Sequence, residues 1–293
     1  MNAVISAVIS VDESYAFCEG VARSQAKNFY VTFLLLSRDQ RRAMCAIYAF
    51  MRYCDDLSDD AGIADRAAAI AGWSADLTAT LAGKPPVKSS SAAAALWPAF
   101  ADAVARYKIP HQYFHDMITG VSSDLEPRKI DTFDQLYDYC YHVASVVGLT
   151  IIHVFGFDSP AALKLAEKCG IAFQLTNILR DVREDAENDR IYWPAEDLAR
   201  FGVTPAELRS KTLTPALRNM LAFQAQRARA YYQESAPLVG MVHAGSRASL
   251  RAMIGIYSRL LDKIIAADYD VLSQRVRVPT WEKMWILLRS RLV

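Results

Sequence analysis

The chain has 293 residues, 53% of them hydrophobic and 22% charged, with a formal net charge of +1. This balance leaves no global field to draw in nucleic acid, so an anionic ligand must be held by local charge. Five scattered cysteines (Cys18, Cys45, Cys54, Cys140 and Cys169) form no CxxC pair, which argues against a disulfide framework or a zinc site and fits a reducing cytoplasm.

In chain order, residues 1–11 are apolar but lack a basic n-region, and they read as a frayed terminus or docking segment rather than a signal peptide. Residues 39–60 carry apolar positions at three- and four-residue spacing (Met44, Ile47, Tyr48, Met51) and predict a helix with Asp39 at its N-cap region. An Ala-rich helix is expected over 64–81, and the Pro/Gly/Ser-rich segment 83–91 reads as a surface loop. Further helices are expected over 92–106, 110–120, 133–155, 159–185, 204–209, 214–235 and 244–267. Pro194 and Gly202 punctuate a stretch expected to be non-helical. Residues 139–157 carry no Asp, Glu, Lys or Arg and approach the length of a membrane span. Their Tyr, His and Ser residues and weakly charged flanks favour a buried core helix, so no transmembrane segment is expected. The final MWILLRSRLV is too short to cross a bilayer but could touch one. Alternating strand patterns are essentially missing. The expected architecture is one all-α domain over 1–293, a helical bundle.

Two acidic clusters stand out: CDDLSDD, with Asp55 and Asp59, and RDVRED, with Asp181 and Asp185. The i,i+4 spacing puts each pair on one helix face, where like charges repel by a few tenths of a kcal/mol. A cation should compensate. Stepping backward along each face gives Arg52 and Tyr48 in the first helix and Asn177 and Gln174 in the second. A Gln174–Asn177–Asp181–Asp185 stripe on an otherwise apolar helix suits a polar cavity better than bulk solvent. Hard oxygens without clustered His or Cys fit Mg²⁺, which shares its coordination sphere with substrate phosphates. Arg52 and Arg180 could meet the phosphate oxygens. The chemistry that needs this set is ionisation of an allylic diphosphate. The resulting cation requires a dry pocket with aromatic faces, for which Phe29, Phe33, Tyr48, Tyr139, Tyr141 and Tyr257 are candidates.

The segments KNFYVTFLLLSRDQRRAMCAIYAFMRYCDDLSDD, YCYHVASVVG and FQLTNILRDVREDAENDRIYWP resemble the squalene/phytoene synthase family, over about residues 14–275. The resemblance implies an isoprenoid-synthase helical fold with a central apolar cavity. It implies metal binding by Asp55, Asp59, Asp181, Asp185 and Asn177, with Gln174 assisting, and diphosphate contacts from Lys27, Arg52, Arg180, Tyr257 and Arg275. It further implies a catalytic role for Tyr139 and a prenyl channel lined by Val143, Gly148, Phe29 and Phe33. Ser145 stands where the family has glycine.

The implied reaction joins two allylic prenyl diphosphates head to head through a cyclopropylcarbinyl diphosphate. The leading expectation is two farnesyl diphosphates giving presqualene diphosphate and then squalene or dehydrosqualene. Phytoene synthesis from two geranylgeranyl diphosphates is the alternative, and a non-catalytic assembly factor of the same fold is a third reading. Mg²⁺ is the expected cofactor, and NADPH use stays open. The expected location is the cytoplasm, with peripheral contact at the inner face of the membrane for product release.

Overall fold

The computed structural model describes residues 9–26, 29–60, 62–88, 91–125 and 128–292, apart from the side chains of residues 59, 91 and 92. Among these residues sixteen α-helices and one π-helical turn form, and β pairing is confined to one isolated bridge between Phe157 and Val242. The expected all-α class is borne out. The chain divides into two compact units, residues 1–111 and 112–293.

The first unit holds α1 (Val11–Gln25), α2 (Tyr30–Phe33), α3 (Arg38–Asp59), α4 (Arg66–Leu81), α5 (Ser91–Ala94) and α6 (Trp97–Arg106). Ser10 starts α1 with a capping box closed by Glu13, satisfying two backbone donors that a helix start leaves unpaired. The expectation of a frayed start through residue 11 is therefore corrected at Val11, while residues 1–8 lie outside the described set. α3 is capped by the Ser37 hydroxyl, which accepts from the Gln40 N–H. Asp39, expected at the cap, sits in the first turn instead, where a carboxylate still complements the helix dipole. The helix expected over 92–106 is two helices, because Pro98 in the first turn of α6 cannot donate into a continuing ladder. α1, α3 and α6 pack together around an aromatic cluster. Phe50 stacks on Phe100 at 4.5 Å, and Trp73 lies 4.6 Å from Trp97. Each such pair contributes roughly 0.5–1.5 kcal/mol beyond its area burial.

The second unit holds α7 (Gln112–Ser123), α8 (Phe133–Cys140), a π-helical turn (Tyr141–Ser145), α9 (Val146–Phe155), α10 (Ala161–Glu187), α11 (Ala195–Phe201), α12 (Pro205–Arg209), α13 (Pro215–Ser235), α14 (Leu238–Met241), α15 (Ala244–Ala266) and α16 (Thr280–Leu292). The 27-residue α10 is its axis and packs on the π turn, α9, α13 and α15. The run Phe133–Phe155 is long and apolar enough to cross a membrane by length and composition, and half of its most apolar window is buried. It packs on α7 and α10. The stretch between Pro194 and Gly202, expected to be non-helical, is α11. Pro194 is its N-cap residue and Gly202 its left-handed C-cap. Both residues mark helix boundaries here, where the sequence reading took them as breaks. The terminal segment, for which the sequence predicts no helix, forms α16.

Candidate active site

In the first unit, α3 is buried around most of its circumference, through Ala43, Met44, Ile47, Phe50, Met51 and Cys54. Its half-buried positions Tyr48, Arg52, Asp55 and Asp56 lie along one side, as the i,i+4 reading expected. Arg52 ion-pairs with Asp56 one turn on, supplying a local cation for the acidic cluster. The Arg52 Nε is buried with no hydrogen-bond partner, an unfilled donor that an anionic oxygen would satisfy. Burial pushes the Tyr48 phenol above its ordinary range. Asp59 ends the helix, with its side chain outside the described residues, and Lys27 lies outside them altogether. Phe29 is half-buried at the start of α2, whereas Phe33 is buried in the core of this unit.

In the second unit, the stripe Gln174, Asn177, Asp181 and Asp185 is half-buried along α10, while Ile171, Leu175, Ile178, Leu179 and Val182 are buried. Arg180 engages both oxygens of Asp181, donating from Nε to Oδ1 at 2.8 Å and from Nη2 to Oδ2. Arg275 comes from the segment before α16 and bridges Asp181 Oδ1 (3.0 Å) and Glu184 Oε2 (2.9 Å). Asp185 is left against this cluster. Burial, then the neighbouring Asp181 and Glu184 charges, push its carboxyl up to about 8. Asn177 Nδ2 donates to Gln174 Oε1 at 3.3 Å, while Asn177 Oδ1 is buried without a partner. Tyr257 is buried, lies stacked 4.2 Å from Phe173 with rings 3° apart, and its phenol oxygen accepts from the Asn177 amide N–H.

Among the described residues, no three His, Cys, Asp or Glu side chains converge as a formed metal site. The donor set of α10 nevertheless fits a hard divalent cation. Crowded carboxylates and an orphaned amide oxygen on one helix face are oxygen donors that gain from a shared positive charge.

Tyr139 sits two residues before the π turn. Its hydroxyl donates to Asp124 Oδ2 at 3.1 Å, and its ring stacks on Tyr192 at 4.7 Å. Tyr192 donates to the other Asp124 oxygen at 3.3 Å. Burial, then Tyr192 and Asp124, hold the Tyr139 phenol well above its ordinary value. It is therefore a neutral hydrogen-bond donor and not a resting phenolate base. Next to it, the helix widens into the π turn, an irregularity often found at functional sites. The wall is built by close approach: a Cβ at Gly170 would meet Ser145 Cα at 2.5 Å, and one at Gly120 would meet the His142 backbone at 2.9 Å. Ser145 fills the family-glycine position by turning its hydroxyl to the Glu167 carbonyl at 2.8 Å. Val143 is half-buried on this turn. Gly148 lets α9 approach the Ala166 carbonyl, which a Cβ would meet at 3.0 Å, so it has a packing role in addition to the lining role expected for it.

Sequence reasoning missed Asp124 and Tyr192, which position Tyr139, and Phe173 as the partner of Tyr257. Asp124 precedes Tyr139 by fifteen residues and Tyr192 follows it by fifty-three, so no helical periodicity links them.

A family model described as squalene/phytoene synthase matches residues 22–282. The chain is 35% identical to 15-cis-phytoene synthase of Synechococcus elongatus, over 95% of this chain and 92% of that protein. It is also 35% identical to phytoene synthase of Arthrospira platensis, over 96% and 94%. Among solved structures, a dehydrosqualene synthase in complex with ligand aligns with a TM-score of 0.87 at 29% identity, covering 96% of each chain. A squalene synthase from Alicyclobacillus acidocaldarius aligns at 0.80 and 28%, covering 92% of this chain and 99% of that one.

Proposed function

The chain belongs to the squalene/phytoene synthase family of prenyltransferases, which condense prenyl diphosphates head to head, and we propose that its reaction joins two geranylgeranyl diphosphates into phytoene. The observation that carries this reading is near-full-length similarity to proteins named phytoene synthase at 35% identity. It turns the expectation away from farnesyl diphosphate, which rested on sequence texture alone. A C30 product is the second reading, favoured by the 0.87 TM-score to a dehydrosqualene synthase. The family match runs through both compact units, which supports treating residues 1–293 as one isoprenoid-synthase domain.

In this reading Asp55 and Asp59 on α3, and Asn177, Asp181 and Asp185 on α10, are Mg²⁺ ligands. Bound Mg²⁺ would supply charge stabilisation to a departing pyrophosphate. Arg180 and Arg275, already held at Asp181, and Arg52 bind diphosphate oxygens, with Gln174 and Tyr48 at the margins; Lys27 is a further proposed diphosphate contact. The stacked Phe173 and Tyr257 rings offer an aromatic face to an allylic cation. Phe29, Val143 and Gly148 line the prenyl chains, whereas Phe33, buried in the core of the first unit, does not. Tyr139, kept protonated, orients an oxygen by donating a hydrogen bond. The proton lost from the condensing carbon then passes to pyrophosphate. A hydrocarbon product this long must leave into lipid, which supports the proposal that a cytoplasmic protein makes peripheral contact with the inner membrane face.

The test offers purified protein Mg²⁺ with geranylgeranyl or farnesyl diphosphate, with and without NADPH, and identifies products by mass spectrometry. A C40 hydrocarbon formed without NADPH is expected. A C30 product from farnesyl diphosphate alone would replace this reading with the second. No Mg²⁺-dependent product from either would bring the assembly-factor reading forward.

A further inference from the structure

α16 is amphipathic in the inverted sense. Its inward side carries polar groups: Glu282 is 6% exposed and ion-paired with Arg259 Nε at 2.6 Å and Lys263 Nζ at 2.7 Å, and the Ser290 carbonyl accepts from Arg251 at 2.7 Å. Leu287 is buried, and Ile286 sits against Gly255 so closely that a Cβ there would meet its Cγ2 at 2.9 Å. Its outward side carries Trp281 (70% exposed), Met284, Trp285 (61%), Leu288 and Leu292. The spacing of those five is i, i+3, i+4, i+7 and i+11, one continuous stripe on a 13-residue helix about 20 Å long. They are five of the eight large hydrophobic side chains exposed among the described residues, which makes this a patch and not scattered surface.

We propose that α16 is the surface by which this protein docks on an anionic lipid bilayer, its two tryptophans seated at the headgroup boundary. The inference rests on the membrane contact proposed above and gives it a location. Charge selects the occupant. Apart from Arg275, which is held at Asp181 and Glu184, residues 271–292 contain Arg277, Lys283, Arg289 and Arg291 against one acid, Glu282, which is turned inward and already paired. Arg277, Arg289 and Arg291 have no carboxylate partner among the described residues. An apolar stripe with tryptophans, flanked by cations, matches an interfacial helix on anionic lipid. A second copy packed face to face through a two-fold axis would set the same cations near one another, and so fits less well. The ion pairs on the inward side hold the helix preformed, so docking does not bear the cost of ordering it.

The experiment adds vesicles of phosphatidylcholine, alone or with about one-third phosphatidylglycerol, to the full chain. It reads co-sedimentation and tryptophan emission. Trp73, Trp97 and Trp193 are buried, so a blue shift reports Trp281 and Trp285. Expected are binding and a blue shift with phosphatidylglycerol, weakening at high salt. The double variant Trp281→Ser/Trp285→Ser should bind at least ~10-fold more weakly, and Arg289→Glu/Arg291→Glu should lose the preference for phosphatidylglycerol. Both variants should retain turnover of detergent-dispersed substrate. Absence of wild-type binding, or unchanged binding by the tryptophan variant, would overturn the proposal whatever the turnover. Concentration-dependent self-association in sedimentation velocity, abolished by the tryptophan variant, would assign the face to a second copy and overturn it equally. Intact vesicle binding without turnover would count against the catalytic reading alone.

Discussion

Arg275 Nη2 lies 3.0 Å from Asp181 Oδ1, on a carboxylate whose two oxygens are already engaged by Arg180. Two guanidinium groups thus converge on one aspartate, and the next acid along the same helix face, Asp185, is left in a crowd of like charge. This asymmetry gives the two aspartates of the RDVRED segment different costs of substitution.

Asp185→Asn removes one of the crowded carboxylates and should leave the melting temperature unchanged or raise it by about a degree, since like-charge relief at this spacing is worth a few tenths of a kcal/mol. It should cut prenyl diphosphate turnover by roughly 10²–10³. Asp181→Asn should lose turnover as severely and also lower the melting temperature, because Arg180 and Arg275 lose their shared anion. Thermal scans beside turnover assays separate the two. Equal stability changes would contradict the asymmetry.

Tyr139→Phe keeps the stack on Tyr192 and removes only the hydroxyl that reaches Asp124. Turnover should fall by about 10²–10⁴ if that hydroxyl is a catalytic donor, with little change in folding. Because the phenol is held well above its ordinary value, its ionisation contributes no alkaline limb up to about pH 10. The pH–rate profile of the variant should therefore keep the wild-type shape at lower height. An alkaline limb that vanishes in Tyr139→Phe would show that the phenolate takes part.

Gly170→Ala would drive a Cβ to 2.5 Å from Ser145 Cα and 2.8 Å from its backbone nitrogen. Backbone cannot yield as a flexible side chain does, so α10 and the π turn must separate, at a cost of roughly 1–3 kcal/mol. Denaturant titration should register that loss. Gly20→Ala, where a Cβ meets nothing within 4 Å, is the control and should be neutral or stabilising.

Packing of α16 on α15 should loosen in acid. Arg259 and Lys263, both on α15, hold the Glu282 carboxyl below its ordinary value of 4.5. Since the folded value is the lower one, the ion pairs stabilise the docked helix fully above about pH 4.5. That contribution is lost as pH falls through the folded value. Proteolysis at the segment before α16 should accelerate as pH falls below 4.5 in the wild type and already at neutral pH in Glu282→Gln. Equal cleavage rates for the two at pH 7 would remove Glu282 from this role.

Much of the site was readable along the chain because its parts recur at helical spacing. Asp181 and Asp185, with Asn177 and Gln174 behind them, occupy one face of α10 as one turn requires, and Tyr48, Arg52 and Asp55 do the same on α3. Tyr139 could be named from its motif, but its partners Asp124 and Tyr192 could not. They reach it from α7's C-terminal end and the loop after α10, and nothing in one-dimensional periodicity records that meeting. The same holds for Phe173 beneath Tyr257. Pro194 and Gly202 were visible as punctuation, yet a seven-residue helix between them was not, because boundary residues and breakers are the same residue types.

The sequence by itself determined the helical class, the two acidic faces and the family, since each is written in local spacing and residue type. Only the tertiary structure decided which charges neutralise which, that Tyr139 stays protonated, and that α16 turns its acid inward and its tryptophans outward. Those outcomes depend on groups distant in the chain meeting under burial, where desolvation and neighbouring charge set their chemistry.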